Sequence, residues 1–304
     1  MSEEDFTIDV RAHIVAHHGG VLGIVDLSQI EPRCLAWLCG DWDFLELVKT
    51  MSPYEAHARL FMNWTGGKLK KENPRAYSLA KARVLALGYG AGWEKFIFMC
   101  RTYGIMPEEV LADPVGPREK DAFVESLLRS KRQNGKLDEF AELDVLGQRI
   151  WVNAWLQVMD FRNRNVKILN LWRKLEAGFK ASVVDGTYEM GLPSGRSLWY
   201  YGINSIEGQW KAQTERGGKF EKFYGGKLCE NLIQATARDV FGECIRRLEE
   251  QVAPVLFHVH DEVILGLEDT SQLGKAIQIM SMTPAWLPGC PISAEGHCSP
   301  RYTK

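Results

Sequence analysis

Hydrophobic and polar positions fall into blocks along the chain. Val21-Leu22-Gly23-Ile24-Val25 is a short β-prone run after Gly19-Gly20, and it predicts a strand running straight into Asp26. From about residue 31 to 179 a helical pattern takes over, with Leu35, Leu38, Leu45 and Val48 at the spacing of one helix face. Asn73-Pro74 marks a helix start, since proline is favoured in a first turn, and that helix should run to Gly88 or Gly90. Residues 135–180 read as long helices rich in Trp and Arg. The pattern changes after Ser182. Residues 183–203 hold Gly191-Leu192-Pro193-Ser194-Gly195 between two β-prone runs, which predicts a hairpin. Residues 225–251 are helical. Residues 255–265 are apolar on both sides of a polar centre and predict two strands meeting at a tight turn around His260-Asp261. This order predicts an α+β fold: an antiparallel-sheet domain with a mostly helical block inserted into it.

Composition narrows the class. The 304 residues are 45% hydrophobic and 25% charged, as in an ordinary globular protein with a proper core. No apolar run approaches the roughly 20 residues needed to span a bilayer, and the acidic start Met1-Ser2-Glu3-Glu4-Asp5 is not a secretory signal. The seven cysteines are odd in number and lack paired CxxC spacing, so they read as reduced thiols in a cytoplasmic protein. A net charge of -2 argues against a nonspecific nucleic-acid coat but leaves room for a locally basic cleft. Three basic clusters stand out: Lys68, Lys70 and Lys71; Arg129, Lys131 and Arg132; and Lys219, Lys222 and Lys227. Each reads equally as a solvated surface.

Asp26 and Asp261 both stand at the ends of hydrophobic strands, where a carboxylate is costly unless it is solvated or bound to a cation. Either alone reads as a turn cap. Side by side in one sheet, the two could hold a pair of Mg²⁺ ions, or Mn²⁺, about 3.5–4 Å apart for an in-line phosphoryl displacement. The neighbouring residues favour this reading. Asp26-Leu27-Ser28-Gln29-Ile30-Glu31-Pro32-Arg33 closely resembles motif A of family A (DNA polymerase I-like) DNA polymerases. Lys81 to Gly90, with Tyr89-Gly90 eight residues after Lys81, is similar to motif B, and His260-Asp261-Glu262 to motif C, in the family's order. Gly195-Arg196-x-Leu198 and Gln234-Ala235-Thr236-Ala237-x-Asp239 resemble palm segments, and several stretches look more like bacteriophage members.

The resemblance implies a reaction and a set of roles. The reaction is attack of a primer 3′-hydroxyl on the α-phosphate of a dNTP, directed by a DNA template. Asp26, Asp261 and the Leu27 carbonyl would hold both metals, with Glu262 as a supporting acid. Glu31 would stand where a ribose 2′-hydroxyl would go. Lys81 and His57, 24 residues apart as in the family, would bind the triphosphate. Tyr89 would cap the nascent pair, with Gly90 letting the chain turn, and Gln29, Arg33, Gln234 and His260 would touch the primer terminus or the product minor groove. Three positions depart from the family. Tyr77 stands where a phosphate-binding Arg is expected, leaving Arg75 or Arg83 as candidates. Leu85 replaces the aromatic residue near the dNTP sugar, and Glu230 replaces a palm Asn.

The resemblance divides the chain into palm (1–36, motif A), fingers (37–181, motif B) and palm again (182–304, motif C). It leaves no stretch for a thumb or proofreading site. The expectation is therefore one part of a split phage replicative polymerase, whose thumb and exonuclease come from a separate polypeptide. The competing readings are a non-catalytic primer-template or partner-binding subunit and a relative of single-subunit RNA polymerases. The Ser-Gln-Ile-Glu string disfavours the latter.

Overall fold

The computed structural model describes residues 11–17, 20–129 and 135–303. Lys131 and Arg132 of the second basic cluster lie outside the described residues. Two four-stranded sheets are present. The first is antiparallel, in the order β6 (Val255–Val259), β7 (Glu262–Leu267), β1 (Val21–Leu27), β8 (Ala294–Ser299). The second is also antiparallel and runs β2 (Thr187–Gly191), β3 (Ser197–Ile206), β4 (Gln209–Gln213), β5 (Glu221–Lys222). The helices are α1 (Ile30–Leu38), α2 (Trp42–Leu47), α3 (Pro53–Phe61), α4 (Leu69–Glu72), α5 (Pro74–Ala82), α6 (Trp93–Thr102) and α7 (Pro107–Val110). They continue with α8 (Pro117–Arg129), α9 (Lys136–Glu142), α10 (Val145–Arg164), α11 (Val166–Ala181), α12 (Gly225–Gln251) and α13 (Leu273–Met280). Among the described residues no helix is long and apolar enough to cross a membrane.

The chain divides into two compact units. One comprises residues 1–34, 192–196 and 234–304; the other comprises 35–191 and 197–233. This differs from the three-segment expectation at one place. The second sheet and the start of α12 cluster with the helices, not with the first sheet. Aromatic packing supplies the reason. Phe179 of α11 meets Tyr188, Tyr200 and Phe223 at ring distances of 5.7–5.9 Å, which fastens the β2–β3 hairpin to the helical unit.

In the first unit, alternation sorts β1 into two faces. Leu22, Ile24 and Asp26 share one face, where Leu22 and Ile24 pack with Ile264 and Tyr302 into a small core. The opposite face is closed as well: Val25, Val263, Leu265 and Leu267 are no more than 2% exposed. Each such side chain contributes about 1.5–3 kcal/mol through burial. In the helical unit, local sequence sets the helix starts. Ser52 accepts from the Glu55 amide, Asn73 from the Ala76 amide just before Pro74, and Asp144 from the Gly147 amide. The helix that begins at Pro74 widens into a π-turn over Arg83–Leu87 and ends at Gly88.

Candidate active site

The carboxylates meet because of strand register. Asp26 on β1 lies directly opposite Glu262 on β7 and Glu295 on β8. Opposed residues on neighbouring strands point to the same face, so Glu262, Asp26 and Glu295 form a row across three strands. Asp261 joins them from the β6–β7 turn. That turn is tight enough to need His260 at φ 56°, and it is tied to β1 by the Leu27 amide donating to the Asp261 carbonyl at 3.2 Å. Burial comes first among the causes that push the Asp26 carboxyl up to about 7. Asp261, Glu262 and Glu295 follow by charge, and a hydrogen bond with Asp261 acts in the same direction. The Tyr302 hydroxyl donates to Glu262 Oε1, which fixes that carboxylate against the hydrophobic core.

This row fits a hard divalent cation. Every neighbouring group that moves Asp26 is an acid, and repulsion of that kind is relieved by a bound cation. The donors are oxygen atoms only, which suits Mg²⁺ or Mn²⁺. Among the described residues no three His, Cys, Asp or Glu side chains converge as a complete metal-ligand group. The set is therefore the Asp26–Asp261 pair with Glu262 and Glu295 beside it.

The other predicted residues of the first unit divide by exposure. Gln29 sits between β1 and α1 at φ 46°, Glu31 is half-buried in the first turn of α1, and His260 and Gln234 are exposed. Arg33 is not placed for the expected DNA contact. It is 5% exposed, its Nε donates to the Ser28 carbonyl at 2.9 Å, and its Nη1 donates to the Pro291 carbonyl at 3.0 Å. It braces the loop after β1 against the segment before β8. The two predicted palm segments do meet: Arg196 pairs with Asp239 at 2.8 Å and donates to the Ala235 carbonyl at 3.2 Å.

In the helical unit, Lys81, Leu85 and Tyr89 recur four residues apart and are all half-buried. Lys81 has no hydrogen-bond or ion-pair partner among the described residues. Gly90 has φ +78°, and a Cβ there would lie 3.3 Å from the Gly226 Cα, so glycine is needed at this turn. His57 and the two candidate arginines are committed elsewhere. His57 is 2% exposed, packed between Phe61 and Phe161, and its Nε2 accepts from Arg83 Nε at 3.1 Å. Burial, and then the Arg83 charge, hold its pKa well below the usual histidine range. With Nε2 accepting from Arg83, the ring keeps a proton only on Nδ1. Arg83 also donates to Gln157 at 2.6 Å and to Asp160 at 2.7 Å. Arg75 pairs with Asp113 at 2.8 Å and donates to the Glu109 carbonyl at 2.6 Å.

Sequence reasoning missed Glu295, Tyr302 as the donor to Glu262, and the Arg83–His57 pair. The only local signal for Glu295 is its alternation with Ala294 and Gly296 in a short run. All seven cysteines are free, as expected from their spacing. Burial pushes Cys39, Cys100, Cys229, Cys244 and Cys290 up to about 12, so those thiols stay protonated.

No protein-family model matches the chain. A 323-residue alignment covers 97% of it at 28% identity with the DNA polymerase of Bacillus phage SP02. In sequence the chain is similar to a phage DNA polymerase. Its fold matches the POL domain of Pol1 from M. smegmatis, solved in complex with DNA primer-template and dNTP, with a TM-score of 0.57 over 98% of the chain at 14% identity. The fold is that of a polymerase domain. The resemblance read from motifs A, B and C thus stands on sequence and fold together. The chain spans 43% of the phage protein and 44% of the solved chain.

Proposed function

We propose that this chain is a DNA-templated DNA polymerase catalytic fragment that transfers a nucleotide from a dNTP to a primer 3′-hydroxyl. The observation that carries this reading is the carboxylate row. Asp26 and Asp261, the aspartates of motifs A and C, come together at one end of a sheet where every neighbouring group that moves Asp26 is an acid. Asp26, Asp261 and the Leu27 carbonyl are the groups assigned to hold two divalent cations, with Glu262 and Glu295 supporting them. When bound, such a pair supplies positive charge to the entering and leaving oxygens of phosphoryl transfer.

The chain's own residues do the rest. Lys81, without a counterion, is assigned the triphosphate as a point charge. Glu31 excludes a 2′-hydroxyl, Tyr89 stacks on the nascent pair, and Gln29, Gln234 and His260 contact the primer end. His57, Arg75 and Arg33 are withdrawn from direct substrate contact, because burial or existing partners hold them away from it. A non-catalytic primer-template-binding subunit would share the fold, but it would retain the carboxylate repulsion at Asp26 without using it.

We extend the proposal to a split enzyme, in which a separate polypeptide supplies the thumb and exonuclease. Primer extension tests both claims. Asp261→Ala should cut turnover by several orders of magnitude, and unchanged extension refutes the assignment. Full processive synthesis by the chain alone sinks the split-enzyme claim.

A further inference from the structure

A cavity lies wholly within the helical unit, where α6, α8, α9 and α10 converge. Its volume is about 320 Å³, at the lower limit for small-ligand pockets. Trp155, Met159 and Arg162 of α10 line it at i, i+4 and i+7, so one face of that helix forms a wall. Trp93 of α6 and Leu127 of α8 complete the apolar lining. The indoles are fixed from behind. Trp93 lies 4.6 Å from Trp151 and edge-on to Phe123 at 5.4 Å, while Trp155 is 5.9 Å from Phe123.

The charges at the cavity are unevenly paired. Lys136 is neutralised by Glu94 at 2.9 Å and by Glu139 at 2.7 Å. Arg162 has no hydrogen-bond or ion-pair partner among the described residues, and it is half-buried beside aromatic and aliphatic groups. A guanidinium desolvated without a counterion is costly, and an incoming anion removes the cost. Two indoles held by a rigid cluster, with one unspent guanidinium beside them, match an aromatic ring that carries a phosphate.

We propose that this cavity binds one unpaired nucleotide of a DNA strand, its base against Trp93 and Trp155 and its phosphate on Arg162. Base–indole stacking contributes without regard to base identity, as single-strand binding requires. Duplex is disfavoured because a paired base would first have to leave its stack to lie against the indoles. The inference rests on the polymerase reading only for the source of the strand, an unpaired stretch of template. A free mononucleotide offers the same chemistry, and the test separates the two.

The test is a binding measurement on the full chain and needs no catalysis. A labelled oligothymidylate of about 12 nucleotides is titrated by anisotropy and by tryptophan quenching, with blunt duplex and dTMP as parallel arms. Arg162→Met and Trp155→Leu should each weaken oligothymidylate binding roughly tenfold, while duplex affinity stays unchanged. Arg162→Lys should restore part of the loss. Circular dichroism and thermal melting check folding, and Arg162→Met alone decides if Trp155→Leu does not fold. Unchanged oligothymidylate affinity in Arg162→Met overturns the proposal. So does dTMP binding as tight as the oligonucleotide, which would make the cavity a mononucleotide site. A chain that binds the oligonucleotide here yet extends no primer even when the partner polypeptide is supplied would defeat the polymerase reading and leave this one standing.

Discussion

Asp26 is held where it weakens the fold. Its carboxyl keeps a proton between pH 3.8 and about 7 in the native chain, whereas the unfolded chain has lost it. The native state binds more protons over that window, so the stability contributed by this group is complete below the window and is lost as pH rises through it. In metal-free buffer, Asp26→Asn should therefore raise the melting temperature at pH 8 and flatten the pH dependence between 4 and 7, while abolishing primer extension. Calorimetry across pH checks this, and an Asp26→Asn chain that melts lower at pH 8 would contradict it. Added Mg²⁺ should stabilise the parent chain at pH 8 and leave Asp26→Asn almost unmoved, because only the parent gains a ligand of the folded state. Glu31 offers a different readout. Glu31→Ala should narrow the preference for dNTP over rNTP without a matching loss in dNTP incorporation, measured as paired kcat/KM values. An unchanged preference would remove Glu31 from sugar discrimination.

At the scale of elements, Arg83 links three helical segments. From the π-turn that follows α5 it reaches His57 on α3 and both Gln157 and Asp160 on α10. Removing a buried guanidinium strands the groups it satisfied, so Arg83→Met should cost about 3 kcal/mol, measured by denaturant unfolding. A cost below about 0.5 kcal/mol, the range of ordinary surface substitutions, would show that the network does not hold these helices together. Strands and long helices were legible in the sequence because their signals are local: alternation before Asp26, Asn73-Pro74 at a helix start, an apolar–polar–apolar run through His260-Asp261. The row partner Glu295 was not legible. Its neighbours come from β1, which lies far away in the chain, and only register brings them together. His57 and Arg33 show a related limit. Motif spacing singled them out, but it does not say whether a side chain faces solvent or core, and both are buried.

Over the whole molecule, a net charge of -2 gives no broad field to draw in a polyanion. On the proposed function, attraction to DNA has to come from local groups such as Lys81 and Arg162. Binding of the chain alone to primer-template should therefore show a shallow salt dependence, with a log–log slope nearer about -3 than the roughly -10 of a heavily basic binder. A slope as steep as the latter would place many more phosphate contacts on this chain than its charge suggests. The fold class and the order of the elements followed from the sequence, whereas the division into units did not. The aromatic contacts that bind the β2–β3 hairpin to α11 join residues whose partnership no local pattern announces. The bond from Tyr302 to Glu262 has a practical side. Burial and the neighbouring carboxylate push that phenol up to about 12, so it remains a donor at any working pH. Replacing Tyr302 by Phe would keep the ring in its core and remove only this donor, leaving the Glu262 carboxylate free to turn.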